Sequence, residues 1–239
     1  MFEAENKNSL ELIKQAEISI EKAKQVILQN IPAEEIISIY VKGSYAQGEL
    51  QPDSDVDIVV ILKTEEFLPK VYTLDADISN PKEIPFAIVA YTLAELQTGE
   101  KASNRPKVTS PVSVFVKQLD HIPLIYGAKP EGKLFTRTDL KDLTAHLGAF
   151  RSTFLPQYEE GKFSIKELVK QILWLADREQ RVLGNVTGYS WQGLAESVKD
   201  KDHIIHLALK LRRQNKISPE EENDFVKRLQ EYLDLLEIY

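Results

Sequence analysis

Asp55 and Asp57 stand two residues apart in PDSDVDIVVIL, at the mouth of an apolar run, with Gly43 and Ser44 upstream in KGSYAQGELQ. Alternate side chains of a strand share a face, so both carboxylates are expected on one side of it. Hard oxygen ligands at that spacing suit Mg²⁺, which keeps several waters and commonly binds through one or two carboxylates plus substrate phosphates. Gly43 lets backbone approach a phosphate, and Ser44 offers a hydroxyl and an N–H to it. A helix starting near Ser44 would further favour an anion. Acidic residues also mark ordinary strand entrances and N-caps, so the pair needs support from the elements around it.

Those elements are legible. Leu10, Leu12, Ile13, Ala16, Ile20, Ala23, Ile27 and Leu28 recur at three- and four-residue intervals and predict an amphipathic helix from Ser9 to about Gln29, ended by Pro32. Ile36 to Val41 is rich in β-branched residues and reads as a strand stopped by Gly43, and Val56 to Leu62 as a strand buried on both faces. Thr64 to Asp77 is ambiguous, with a short helix limited by Pro69 as one reading. Ile84 to Tyr91 reads as a third strand with Pro85 near its start, Val112 to Leu119 as a helix, and Ile122 to Tyr126 as a short last strand. Residues 97–109 read as a loop carrying Lys101, Arg105 and Lys107. Beyond Gly127 the segments 140–158, 165–183, 191–198, 203–214 and 219–238 all have helical spacing. The expectation is an α+β chain: a domain over residues 1–127 with a small mixed sheet flanked by helices, then an all-α bundle over 128–239.

Composition narrows the partners. Of 239 residues, 43% are hydrophobic and 28% charged, ordinary for a globular protein and unlike a disordered one. The formal net charge of −7 argues against gripping nucleic acid as the main task. Cysteine is absent, which excludes disulfides, thiolate metal sites and a cysteine nucleophile. The charged N-terminus lacks a signal-peptide core, and no apolar run approaches the roughly 18 residues of a membrane span, so a cytoplasmic location and no membrane partner are expected. No dinucleotide fingerprint, phosphate loop or nucleophile elbow is present.

A strand, a Gly-Ser turn and a second strand opened by Asp-x-Asp resemble the active-site motif of the nucleotidyltransferase superfamily, the fold shared by DNA polymerase beta and the aminoglycoside-modifying nucleotidyltransferases. Gly43, Ser44, Asp55 and Asp57 match it, with Gly48 and the run PDSDVDIVV also typical of small bacterial members. The second half, notably WLADREQRVLGNVTGYSWQGLAESV, is similar to the helical C-terminal region of streptomycin- and spectinomycin-type adenylyltransferases. The resemblance implies two Mg²⁺ ions between Asp55 and Asp57 and the triphosphate of ATP or another nucleotide, with Ser44 on the outer phosphates and Gly43 and Lys42 in the nucleotide site. It implies transfer of a nucleoside monophosphate, AMP above all, to a hydroxyl of a small acceptor such as an aminoglycoside. A protein-modifying enzyme, or a non-catalytic nucleotide-binding protein of the same fold, is the alternative.

The motif also implies a third acid on the next strand, as metal ligand or general base. EIPFAIVAYT carries Pro85 and Ala87 in the positions where that acid is expected, and only Glu83 lies nearby. By strand parity Glu83 shares a face with Pro85 and Ala87, which makes it the candidate third catalytic residue. Asp75, Asp77, Asp177 and Glu179 are rivals. Asp53 is expected to stabilise a turn after Pro52. The four histidines lack the spacing of a zinc site and read as structural or surface residues, and Trp174 and Trp191 as core.

Overall fold

The computed structural model describes residues 2–52, 54–74, 84–101, 110–185 and 189–236, with side chains described from Leu10 onward in the first helix. The chain divides into two compact units, Met1–Thr136 and Arg137–Tyr239.

The first unit opens with α1, Phe2–Asn30. Its apolar stripe of Ala16, Ile20, Ala23 and Ile27 is buried, as the three-and-four spacing requires. β1 (Ile36–Lys42) leads directly into the single-turn helix α2 (Gly43–Gln47). Then come β2 (Val56–Leu62), α3 (Leu68–Val71), β3 (Phe86–Thr92), α4 (Leu93–Thr98), α5 (Val112–Gln118) and β4 (Leu124–Gly127). The four strands form one mixed sheet in the order β3-β2-β1-β4. β1 runs antiparallel to both β2 and β4, while β2 and β3 are parallel.

β2 is central and fully buried from Ile58 to Leu62, which explains why its sequence is a continuous apolar run. Ile58 and Val60 on one face, with Ile39, Val41, Ile88 and Ala90 beside them, join the core that includes the α1 stripe. The Ser19 hydroxyl donates to the Ile84 carbonyl at 2.7 Å and fixes α1 to the start of the third strand. On the other face Tyr91 stacks on Phe115 of α5 with ring centroids 4.5 Å apart, and its hydroxyl donates to the Ser110 carbonyl.

The expected loop at 97–109 begins later than its composition suggested, because Gln97 and Thr98 complete α4. The cause is a capping box: Glu95 N–H donates to the Thr92 hydroxyl at 3.2 Å, and Glu95 Oε2 accepts the Thr92 N–H at 2.7 Å.

The second unit is entirely helical among its described residues: α6 (Asp139–Ala149), α7 (Leu155–Glu159), α8 (Ile165–Val182), α9 (Trp191–Ser197), α10 (Ile204–Arg212) and α11 (Pro219–Leu236). The helix expected over 140–158 is present as an unbroken helical run, with a widened π-helical turn at Phe150–Phe154 between α6 and α7. Pro156 has no N–H to give the preceding turn, and a π turn is one way to accommodate that loss. α8 is central, with Leu168, Val169, Ile172, Leu173, Leu175 and Ala176 all buried. Trp191 is buried and meets Trp174 edge to face at 4.5 Å, as a core pair should. The mixed sheet followed by a helical bundle is the fold class read from the sequence. No helix among the described residues is long and apolar enough to cross a membrane.

Polar groups inside the second unit are specific. His203 caps α10 by accepting the Ile205 N–H at Nδ1, 3.2 Å away, so the ring proton sits on Nε2. That Nε2–H donates to Glu179 Oε2 at 2.9 Å, and the Tyr232 hydroxyl donates to the same oxygen at 2.8 Å. Tyr232→Phe should therefore cost about 1 kcal/mol, and Glu179→Ala, which strands two donors, about 1–3 kcal/mol, both read from urea unfolding midpoints. Burial, with the Arg178 guanidinium near it, pushes the His146 imidazole down from 6.5 to about 2. The unfolded chain then takes up a proton through pH 6.5 that the folded chain refuses until about pH 2. This contribution to stability is whole above that unfolded value and is lost as pH falls, by up to about 1.4 kcal/mol per pH unit. Unfolding curves at successive pH values should show that slope lessened in His146→Leu.

Candidate functional site

Gly43 is the first residue after β1 and the first of α2, with φ +73°. Only glycine adopts that backbone without penalty. It is required a second time by space: a Cβ built on Gly43 would overlap Asp57 Oδ2 and lie 3.1 Å from the Asp57 carboxyl carbon. The Asp57 carboxylate thus packs on the backbone at the strand-to-helix turn. Ser44 follows, half-buried, and its carbonyl accepts the Glu49 N–H at 2.8 Å. Gly48, at φ +69°, ends the single helical turn in the left-handed conformation. The spacing Gly43-Ser44 to Gly48 is therefore that of one tight turn, held at both ends by glycine.

The strand register fixes which residues flank Asp57. Lys42 pairs with Asp57 across the antiparallel β1–β2 ladder, and Ala87 pairs with it across the parallel β2–β3 ladder. Residues directly opposite project to one face, with Cβ atoms about 4.5–5.5 Å apart in the antiparallel pair. One row of the sheet thus reads Lys42, Asp57, Ala87. Asp57 is half-buried, and Asp55, just before the strand, is exposed. The Val56 N–H donates to the Pro85 carbonyl at 2.8 Å, so the chain on the β3 side of Asp55 is Pro85. Both neighbouring positions on the third strand therefore lack a carboxylate.

The structure brings Lys42, Gly43, Ser44 and Asp57 to one end of the sheet, with Asp55 next along the chain. Glu83, together with Asp53, Asp75, Asp77, Arg105 and Lys107, lies outside the described residues. Glu95 is a buried acid that the sequence reading overlooked, yet it belongs to the α4 cap at the far end of β3. Five residues separate Ala87 from Thr92, about 16 Å of strand, which excludes Glu95 as a neighbour of Asp57. The signal that could have found its role is Thr-x-x-Glu after an apolar strand. Both Asp177 carboxylate oxygens accept from Arg181 Nε, at 3.1 and 3.0 Å, and Glu179 is committed to His203 and Tyr232. Among the described residues no group of three or more acids or histidines is arranged to hold a metal ion. The donors that are present, two carboxylates beside a turn stripped of side chain, fit one hard dication with phosphates completing its shell.

Residues 20–120 match the nucleotidyltransferase domain family. The fold of the chain is similar to that of spectinomycin adenyltransferase AAD(9) from Enterococcus faecialis, solved with ATP and spectinomycin. That likeness has a TM-score of 0.60 at 15% identity and covers 92% of this chain and 99% of the other. No curated protein gives a significant sequence match.

Gly43→Ala should leave the fold cooperative but cost about 1–2 kcal/mol for its left-handed φ and displace the Asp57 carboxylate. The check is the urea unfolding midpoint, expected to fall further than in Gly48→Ala, which has open space at its Cβ. Residues 20–120, which match the nucleotidyltransferase domain family, include both the turn that opens on Gly43 and the strand that carries Asp57.

Proposed function

We propose that the chain is a nucleotidyltransferase that moves AMP from ATP to a hydroxyl of a small acceptor. The single observation that carries this is the packing of Asp57 against Gly43, which puts a carboxylate at a glycine-serine turn with no side chain between them. Asp55 and Asp57 hold the divalent cation, which when bound neutralises charge on the triphosphate. Ser44 donates its hydroxyl, and the turn its backbone N–H groups, to phosphate oxygens. Gly43 keeps that approach open, and Lys42 adds positive charge one residue away.

In the reaction an acceptor oxygen forms a bond to the α-phosphorus while the bond from that phosphorus to the bridging oxygen breaks, releasing pyrophosphate. The hydroxyl proton must go to a base. Ala87 and Pro85 cannot take it, so the assignment falls on Glu83, two residues before Pro85 and of the same strand parity. Catalysis of this kind is chiefly positioning and charge stabilisation, so loss of one carboxylate is severe.

An acceptor of the aminoglycoside class is supported by the fold likeness to a protein solved with spectinomycin and by a net charge of −7 that suits a cationic partner. The carboxylate-free flank of Asp57 on β3 favours a second reading, a nucleotide-binding protein without transfer activity. Incubation with Mg²⁺, each of ATP, GTP, CTP and UTP labelled at the α-phosphate, and a panel of aminoglycosides and proteins decides between them. Label should appear on an acceptor, fall by more than a hundredfold in Asp57→Ala and at least tenfold in Glu83→Gln. ATP binding at the Asp57 site with no label transferred from any nucleotide to any small or protein acceptor selects the second reading.

A further inference from the structure

Lys42 and Ala87 flank Asp57 on its two sides, and together they set the charge of the site. Two dications held close together need enough carboxylate to offset their mutual repulsion. Here the β3 position in register with Asp57 ends in a methyl group, and the β1 position in register with it carries an ammonium. Among the described residues the three side chains Lys42, Asp55 and Asp57 sum to one negative charge, and Glu83 is assigned above to the acceptor hydroxyl rather than to the cation. That sum is adequate for a single dication that also shares phosphate oxygens. A second dication would share the Lys42–Asp57–Ala87 row of the sheet with the Lys42 ammonium, and like charges repel.

Lys42 is also placed to do part of what a second cation would do. It is the residue immediately before Gly43, so its ammonium originates at the same turn whose glycine and serine face the phosphates. A lysine at a phosphate-binding turn acts as a point charge with three donors.

Resting on the proposed function above, we propose that this site takes one divalent cation per bound nucleotide, at Asp55 and Asp57, and that Lys42 supplies the second positive charge by contacting the triphosphate. Lys42 is then a specificity-determining residue for the polyphosphate, and Ala87 is the position that limits the number of cations. The two roles make opposite demands on Lys42: its charge weakens binding of a free dication and strengthens binding of the nucleotide. A lysine that merely supported the strand would not separate the two affinities in this way.

The test counts Mn²⁺ ions in the full-length protein with α,β-methylene ATP by native mass spectrometry, and measures two affinities in parallel: Mn²⁺ alone, and the nucleotide at fixed saturating Mg²⁺. Wild type should carry one Mn²⁺ per protein–nucleotide complex. Lys42→Met should bind Mn²⁺ severalfold more tightly and the nucleotide roughly ten- to a hundredfold more weakly, the value of a charge-assisted hydrogen bond. Lys42→Arg should restore most of the nucleotide affinity, and Ala87→Asp should raise the count to two. Two Mn²⁺ ions per wild-type complex, or a Lys42→Met variant whose nucleotide affinity is unchanged, overturns this inference alone. An Ala87→Asp complex that stays at one ion overturns the assignment of Ala87. A wild type that binds no nucleotide overturns the proposed function and this inference with it.

Discussion

The contact between the Asp57 carboxylate and the Gly43 backbone is the constraint around which the first unit is arranged. It holds only if β1 ends where it does, if the chain turns there through a positive φ, and if β2 runs antiparallel in the register that sets Lys42 opposite Asp57. Each condition has its own cause. β1 is a short β-branched strand that Gly43 can stop, and β2 is a central strand whose buried apolar run admits little slip. A one-residue shift would carry Asp57 to the face that packs on α1 and turn a buried aliphatic side chain outward.

Burial then divides the sheet by chemistry. The face that includes Ile58, Val60 and Ile88 is sealed in the α1 core, and the opposite face is covered at Tyr91 by the ring of Phe115. The end near Asp57 stays partly open, so the polar residues of the motif collect there without the penalty of a buried charge. The helical unit uses its polar groups differently. Glu179, His203 and Tyr232 satisfy one another within the bundle, and Asp177 holds Arg181, so these acids are occupied with structure.

Much of this was legible in the sequence. The helix, the three main strands and the bundle follow from apolar periodicity, and the Gly-Ser turn followed by Asp-x-Asp is the basis for the proposed site. Periodicity does not register single-turn events, which is why the α4 capping box and the π turn ahead of Pro156 were missed. Nor does it give register. Parity shows that Asp55 and Asp57 share a face, but only strand pairing shows that Asp57 faces Ala87 on one side and Lys42 on the other. The sequence pointed to the lack of an acid on the third strand, and the pairing shows that the β3 position beside Asp57 is Ala87, with Pro85 just before the strand next to Asp55. The Glu83 assignment rests on sequence alone.

The place where a nucleotide binds decides between these readings of the site. A crystal structure of the protein with Mn²⁺ and α,β-methylene ATP, with the anomalous signal locating the metal, tests it most directly. The account predicts metal density between Asp55 and Asp57, with the triphosphate on the Gly43–Ser44 turn. A nucleotide seated elsewhere, or a triphosphate at the turn with no metal at Asp57, would contradict it.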